Sequence, residues 1–173
     1  MGLRGVGILV VWFVVCLIWV ATGFYKSRDT LTVDDYGLLK ELEGYSLTVY
    51  LDTGGTPTVC YGHTGQDVAV GQPPRSEAQC GLLLEQDAVW ASRAVSDLVT
   101  VPLNNNQRQA LTSFVFNVGR QAFNDSTLLR LLNAGRYDDV PTQLRRWRYD
   151  NGLAVQGLIN RRNREVNVWL GNG

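Results

Sequence analysis

The sequence predicts an α+β fold: one helix and a β-hairpin form a small lobe, and a long helix joins it to a mainly helical lobe. A transmembrane segment precedes both. Three observations carry this prediction. Residues 5–24 contain no charge. A helix-period segment ending near Gly44 runs directly into two β-favouring stretches around a Gly/Pro turn. From Ser76 onward every periodic segment is helical, and each ends in Gly, Pro or a polar cluster. The 173 residues suffice for one domain with a real core.

The first element, GVGILVVWFVVCLIWVATGF (residues 5–24), is long enough as a helix to span about 30 Å of hydrocarbon. It reads either as a membrane anchor or as a signal peptide. Small residues at Ala21 and Gly23 suit cleavage, whereas an apolar run longer than a usual signal core favours an uncleaved anchor. Arg4 lies before it, and Lys26 and Arg28 after it. The expected division is therefore an anchor over 1–28 and a folded domain over 29–173.

That domain opens with TVDDYGLLKELEG, a helix capped by Thr32 with Asp35 three residues later. Its apolar face is Val33, Tyr36, Leu39 and Leu42, and Gly44 is its stop. SLTVYLD and TVCYGH form a hairpin around DTGGTP, where Gly54, Gly55 and Pro57 mark the turn. Ser76 then caps one long helix reaching about Val99. Four further helical segments follow: NNNQRQALTSFVFNVG, STLLRLLNAG, YDDVPTQLRRW and GLINRRNREVNVWLG.

Sixteen basic and sixteen acidic residues cancel, but unevenly. Asp29 to Asp97 holds eleven acids against three bases; Leu98 onward holds ten arginines against five acids. Either the second lobe suits a polyanion or the two faces are simply solvated with opposite sign. Of three cysteines, Cys16 lies in the apolar run. In an oxidising compartment Cys60 and Cys80 are a candidate disulfide, closing a loop of about 20 residues and stabilising by about 3 kcal/mol. Cys16 is either an inert apolar thiol or a partner for thiol exchange with Cys60 or Cys80.

Glu41 and Glu43 stand two apart on the first helix and so face opposite ways, with Glu41 toward solvent. Glu43 sits at the helix end, where the dipole disfavours a carboxylate. That suits a residue which must hold a proton for a general acid's work. Asp52 opens the Gly-rich turn in a wetter setting. Two carboxyls in unlike environments facing one cleft fit glycosidic bond cleavage. The competing assignment makes Asp52 a turn cap and Glu43 a helix-end salt bridge.

Spacing adds a resemblance. The string E-G-Y-S-L-T-V-Y-L-D-T-G-G-T-P-T-V-C-Y-G-H from Glu43 to His63 resembles the catalytic motif of phage-type lysozymes, glycoside hydrolase family 24. That motif is E-G followed by Y-x-D-x-x-G-x-x-T-x-G-x-G-H. FVFNVG, FNDSTLLRLLN and LRRWRYDNGLAVQGLINRR extend the likeness over nearly all of residues 32–173. It is nearest to lambdoid phage endolysins carrying a signal-arrest-release segment. Cys60 departs from the motif, which more often has glycine there.

The resemblance implies a lysozyme-like fold and a monomeric, cofactor-free muramidase. It would cleave β-1,4 bonds between N-acetylmuramic acid and N-acetylglucosamine in peptidoglycan and cause host lysis. Glu43 would protonate the leaving oxygen, Asp52 would stabilise the anomeric carbon and help place a water, and Thr58 would orient that water. The family is mostly inverting, with carboxyls about 6.5–9.5 Å apart. Asn117, Arg161 and Arg162 are candidate substrate contacts, the arginines alternatively bridging to Glu43. His63 is expected to be structural, and no second His or Cys makes a metal site with it. The five tryptophans read as core, interface or sugar platforms alike.

Further implied are no nucleic-acid partner, tethering at the periplasmic face of the host inner membrane, and release after a holin or pinholin depolarises it. Two rivals remain: a bacterial or prophage autolysin with the same chemistry, and an inactive membrane-anchored peptidoglycan-binding protein.

Overall fold

A computed structural model of the chain describes residues 36–52 and 54–172. The expected anchor over 1–28, Cys16, and the Thr32 cap with Val33 lie outside the described residues. Among the described residues no helix is long and apolar enough to cross a membrane.

The small lobe begins with α1 (Gly37–Leu42), whose Leu38 and Leu39 are buried. Glu43 is its C-cap, and Gly44 turns the chain in the left-handed region at φ 71°. The chain then enters β1 (Ser46–Leu51), which pairs antiparallel with β2 (Pro57–Cys60) in the register Ser46↔Cys60, Tyr50↔Thr58 and Leu51↔Pro57. Cys60 and Cys80 form a disulfide with Cα atoms 5.0 Å apart, tying the hairpin to the start of α2 (Glu77–Leu98). Ser76 caps α2 in a reciprocal box with Gln79.

The core is centred on α3 (Asn105–Val118), again capped by a reciprocal box, Asn104 with Gln107. Its run from Ala110 to Val115 is buried throughout, because α2 and α7 (Gln156–Trp169) pack on it from different sides. Phe114 lies fully buried, edge-on to Phe123 and Trp147 with centroids 6.2 and 5.3 Å away. Around it stand α4 (Arg120–Asn124), α5 (Thr127–Asn133), a 3₁₀ turn (Tyr137–Asp139) and α6 (Val140–Arg145).

The expected helices are present, with two additions. Gly119, at φ 89°, ends α3 and starts the short α4. Tyr149–Asp150 (β3) and Leu153–Ala154 (β4) pair around Asn151–Gly152, both with positive φ. An Asn-Gly pair between short strands is the preferred two-residue hairpin turn. The predicted YDDVPTQLRRW helix divides at Val140, because Pro141 fits only the first turn of a new helix.

Candidate active site

Two groups of polar side chains stand on either side of the Gly44–Tyr45 joint. The first is the hairpin end. Asp52 Oδ1 accepts from the backbone N–H of Gly54 and of Thr56, both at 2.8 Å, so one oxygen builds the turn. Oδ2 has no protein partner among the described residues. Thr58 is 3% exposed and donates its hydroxyl to Thr56 O at 3.0 Å. Residue 56 thus links Asp52 to Thr58, its amide held by one and its carbonyl by the other. With its proton donated away, Thr58 Oγ1 is left as an acceptor.

The second group surrounds Glu43. Arg161 Nη1 lies 2.8 Å from Glu43 Oε1, an ion pair off the ideal hydrogen-bond line. The other edges of that guanidinium are held from behind: Nη2 donates to Ser113 O at 3.2 Å and Oγ at 3.3 Å, and Nε to Glu165 Oε1 at 3.4 Å. Of the two arginines, therefore, Arg161 meets Glu43. The helix-end dipole is only part of the electrostatics at Glu43, since a cation faces it from α7.

Arg162 lies inside the helical lobe. It is 1% exposed, lies over the Phe114 ring at 4.9 Å, and pairs with fully buried Glu165, Nε to Oε2 at 2.8 Å and Nη2 to Oε1 at 2.9 Å. Its one outward link is Nη2 to Asn117 Oδ1 at 3.1 Å, which orients exposed Asn117. Burial pushes the Glu165 carboxyl up, against the opposite pull of Arg162, Ser113 and Arg161. Glu41 is also more than a solvent-facing residue: Arg164 grips it bidentately at 2.6 and 2.8 Å, joining α1 to α7.

His63 closes the hairpin instead of facing a cleft. Its backbone pairs with Val59 in both directions, Nδ1 lies 2.8 Å from Asp87 Oδ2 on α2, and Nε2 is 3.3 Å from Asp67 Oδ1. Burial pulls its proton affinity down, but Asp87 and Asp67 outweigh that and the net direction is up. A histidine raised above its unfolded value, about 6.5, adds stability fully present below that pH and lost as pH rises through the folded value. His63→Gln should therefore lower Tm more at pH 5.5 than at pH 9, checked by calorimetry. An equal loss at both would mean packing alone.

Between Val59 and His63 the chain turns through Cys60–Tyr61–Gly62, with Cys60 at φ 59° and Gly62 at φ 86°. A left-handed backbone is what a glycine at the Cys60 position would serve. Cysteine holds it here at a cost of about 1–2 kcal/mol and in exchange makes the bond to Cys80. Of the tryptophans, Trp169 is buried, Trp147 packs against the core, and Trp90 is 41% exposed beside Phe116; the other two lie outside the described residues. Among the described residues no three His, Cys, Asp or Glu could hold a metal ion together.

The phage lysozyme family profile matches residues 40–165, which contain both polar groups. This chain belongs to the phage lysozyme family. A SAR-endolysin from Bacteriophage PS119 is 43% identical over 129 residues, 75% of this chain and 77% of its own length. A solved endolysin from Escherichia coli O157:H7 phage FAHEc1 has a TM-score of 0.76 at 29% identity, covering 84% of this chain and 96% of that one. A P22 lysozyme variant has a TM-score of 0.73 at 36% identity, covering 81% and 97%. As a phage lysozyme, the chain is a glycoside hydrolase, a muramidase with the lysozyme-like α+β fold.

Sequence reasoning passed over Ser113 and Glu165 here, and Asp67 and Asp87 at His63. Glu165 had a signal: it stands four and three residues after Arg161 and Arg162, the spacing at which helical side chains meet.

Proposed function

We propose that this muramidase is an endolysin that cuts the bond between N-acetylmuramic acid C1 and N-acetylglucosamine O4, with Glu43, Asp52 and Thr58 as its catalytic residues. The observation that carries the residue assignment is the division of labour at Asp52. Oδ1 is spent on the turn, Oδ2 has no protein partner among the described residues, and Thr58 is tied to the same turn through Thr56. In the proposed step Glu43 gives its proton to O4 as the C1–O4 bond breaks. A water accepted by Thr58 Oγ1 and Asp52 attacks C1 and loses its proton to Asp52, so charge and atoms balance. Asn117, held by Arg162, is proposed to meet the glycan from α3.

The test of the reaction is product analysis. Digestion of purified peptidoglycan by the full chain should create reducing ends on N-acetylmuramic acid. Reducing ends on N-acetylglucosamine, or no new ends, would sink the proposal. The test of the residue is Asp52→Asn. Asparagine keeps an Oδ1 acceptor for the Gly54 and Thr56 amides, so the turn and Tm stay close to wild type. Loss of the charge should still lower kcat by about 10²-fold or more. Full activity would leave Asp52 as a turn cap.

The proposal extends to localisation. Residues 1–28 are assigned as a membrane anchor and 29–173 as the catalytic domain, held at the periplasmic face of the inner membrane until a holin or pinholin depolarises it. Two things support this: the uncharged run at 5–24 and the relatives named SAR-endolysin. At about 0.3–0.6 kcal/mol per Leu, Ile, Val or Phe, that run favours insertion strongly. In the same reading Cys16 is a candidate thiol for exchange with the Cys60–Cys80 pair once the segment leaves the bilayer.

A further inference from the structure

Glu165 poses a problem that packing does not answer. It is 0% exposed on α7, and a buried ion pair is often no more stabilising than apolar residues of the same volume. The atoms around its two oxygens are Arg161 Nε, Arg162 Nε and Nη2, and the Ser113 hydroxyl, a set of donors suited to a carboxylate. Through Arg161 it stands one side chain behind Glu43.

Consider what Arg161 would do alone. A guanidinium 2.8 Å from Glu43 sets a full positive charge beside a residue that, as general acid, must carry a proton. With Arg162 behind it, two positive charges would back one acid. Ionised Glu165 changes that balance: Glu43, Arg161, Glu165 and Arg162 then form an alternating row with no net charge, with Arg162, Ser113 and Arg161 opposing the burial that pushes the Glu165 carboxyl up. Among the neighbouring elements, α3 contributes uncharged Ser113 and Asn117, Glu41 on α1 is taken by Arg164, and the hairpin brings the Asp52 carboxylate, which all the variants below retain. Geometry follows the same pattern. Ser113 and Glu165 occupy Nη2 and Nε of Arg161, leaving Nη1 as the edge presented to Glu43.

We propose that Glu165 is a positioning residue for glycan hydrolysis: with Ser113 it fixes the Arg161 guanidinium edge-on to Glu43 and offsets the positive charge that Arg161 sets beside that general acid. This rests on Glu43 as the general acid. The experiment measures kcat and KM of the full chain on solubilised peptidoglycan from pH 4 to 9, with circular dichroism to verify folding. Glu165→Gln should move the alkaline limb of kcat/KM about one unit toward acid, a roughly tenfold loss beyond the limb, with KM within twofold. Adding Arg161→Gln should return the limb to wild type or beyond. Ser113→Ala keeps all four charges, so the limb should stay in place while kcat falls severalfold; this variant decides the matter if Glu165→Gln does not fold. A Glu165→Gln profile that superimposes on wild type, or is scaled equally at every pH, overturns the proposal, as does wild-type kcat in Ser113→Ala. Glu43→Gln run alongside separates the two claims. If it is inert while Glu165→Gln is unshifted, only the role of Glu165 fails; if it is fully active, both fail.

Discussion

Glu43→Gln should lower kcat on peptidoglycan by about 10²–10⁴-fold while leaving KM within a few-fold, the range lost with a positioned general acid. The substitution is nearly isosteric. Gln keeps an Oε1 that Arg161 Nη1 can donate to, and the N–H of residue 43 still bonds Leu39 O to end α1. Shape, cap and the Arg161 contact therefore survive, and only the transferable proton is removed. Stability should move little, since the near-isosteric amide keeps the contact with Arg161. Turbidity clearing of purified walls beside a thermal melt reads both quantities. Equal clearing by variant and wild type removes Glu43 from the chemistry. Clearing by neither, with folded protein, favours a wall-binding module.

What could be read from the sequence was what lies close together along the chain. Ser76 announced the start of α2, and in the structure both α2 and α3 begin in equally local capping boxes, Ser76 with Gln79 and Asn104 with Gln107. The Glu43–Asp52–Thr58 spacing was legible because the chain between them does little but turn at Gly44 and at the hairpin. Asn151–Gly152 was equally local, but it sat between two apolar helical patterns, and strands of two residues leave no period to detect. The closure of the charged row on Ser113 could not be read. It depends on α3 and α7 meeting, Ser113 against Glu165 across 52 positions, and nothing near either residue encodes that contact. Burial reverses the ordinary expectation too: Arg162 looks like a surface cation in sequence and is among the largest fully enclosed side chains. Cys60 carries a related lesson. As a letter it broke a motif, while as a backbone at φ 59° it fills the conformation that glycine would take.

Arg162→Met should destabilise the folded domain by about 3–5 kcal/mol, because it leaves Glu165 buried without its principal counter-charge. For a domain of this size that corresponds to a fall in Tm of roughly 10–15 °C. The deficit should depend on pH, and its sign follows from Glu165. A carboxyl whose folded-state proton affinity is raised contributes fully below its unfolded value, about 4.3. That contribution is lost as pH rises through the folded value. Burial already pushes Glu165 upward, and removing Arg162 removes the first force against it. The Tm deficit should then be smallest near pH 4 and widen toward pH 7. A deficit independent of pH would assign the loss to the guanidinium stacked over Phe114. The double variant Arg162→Met with Glu165→Met separates stability from catalysis. Two apolar side chains of similar volume should recover most of the lost Tm. Arg161 Nε is still left without its carboxylate partner, so kcat should not recover in step.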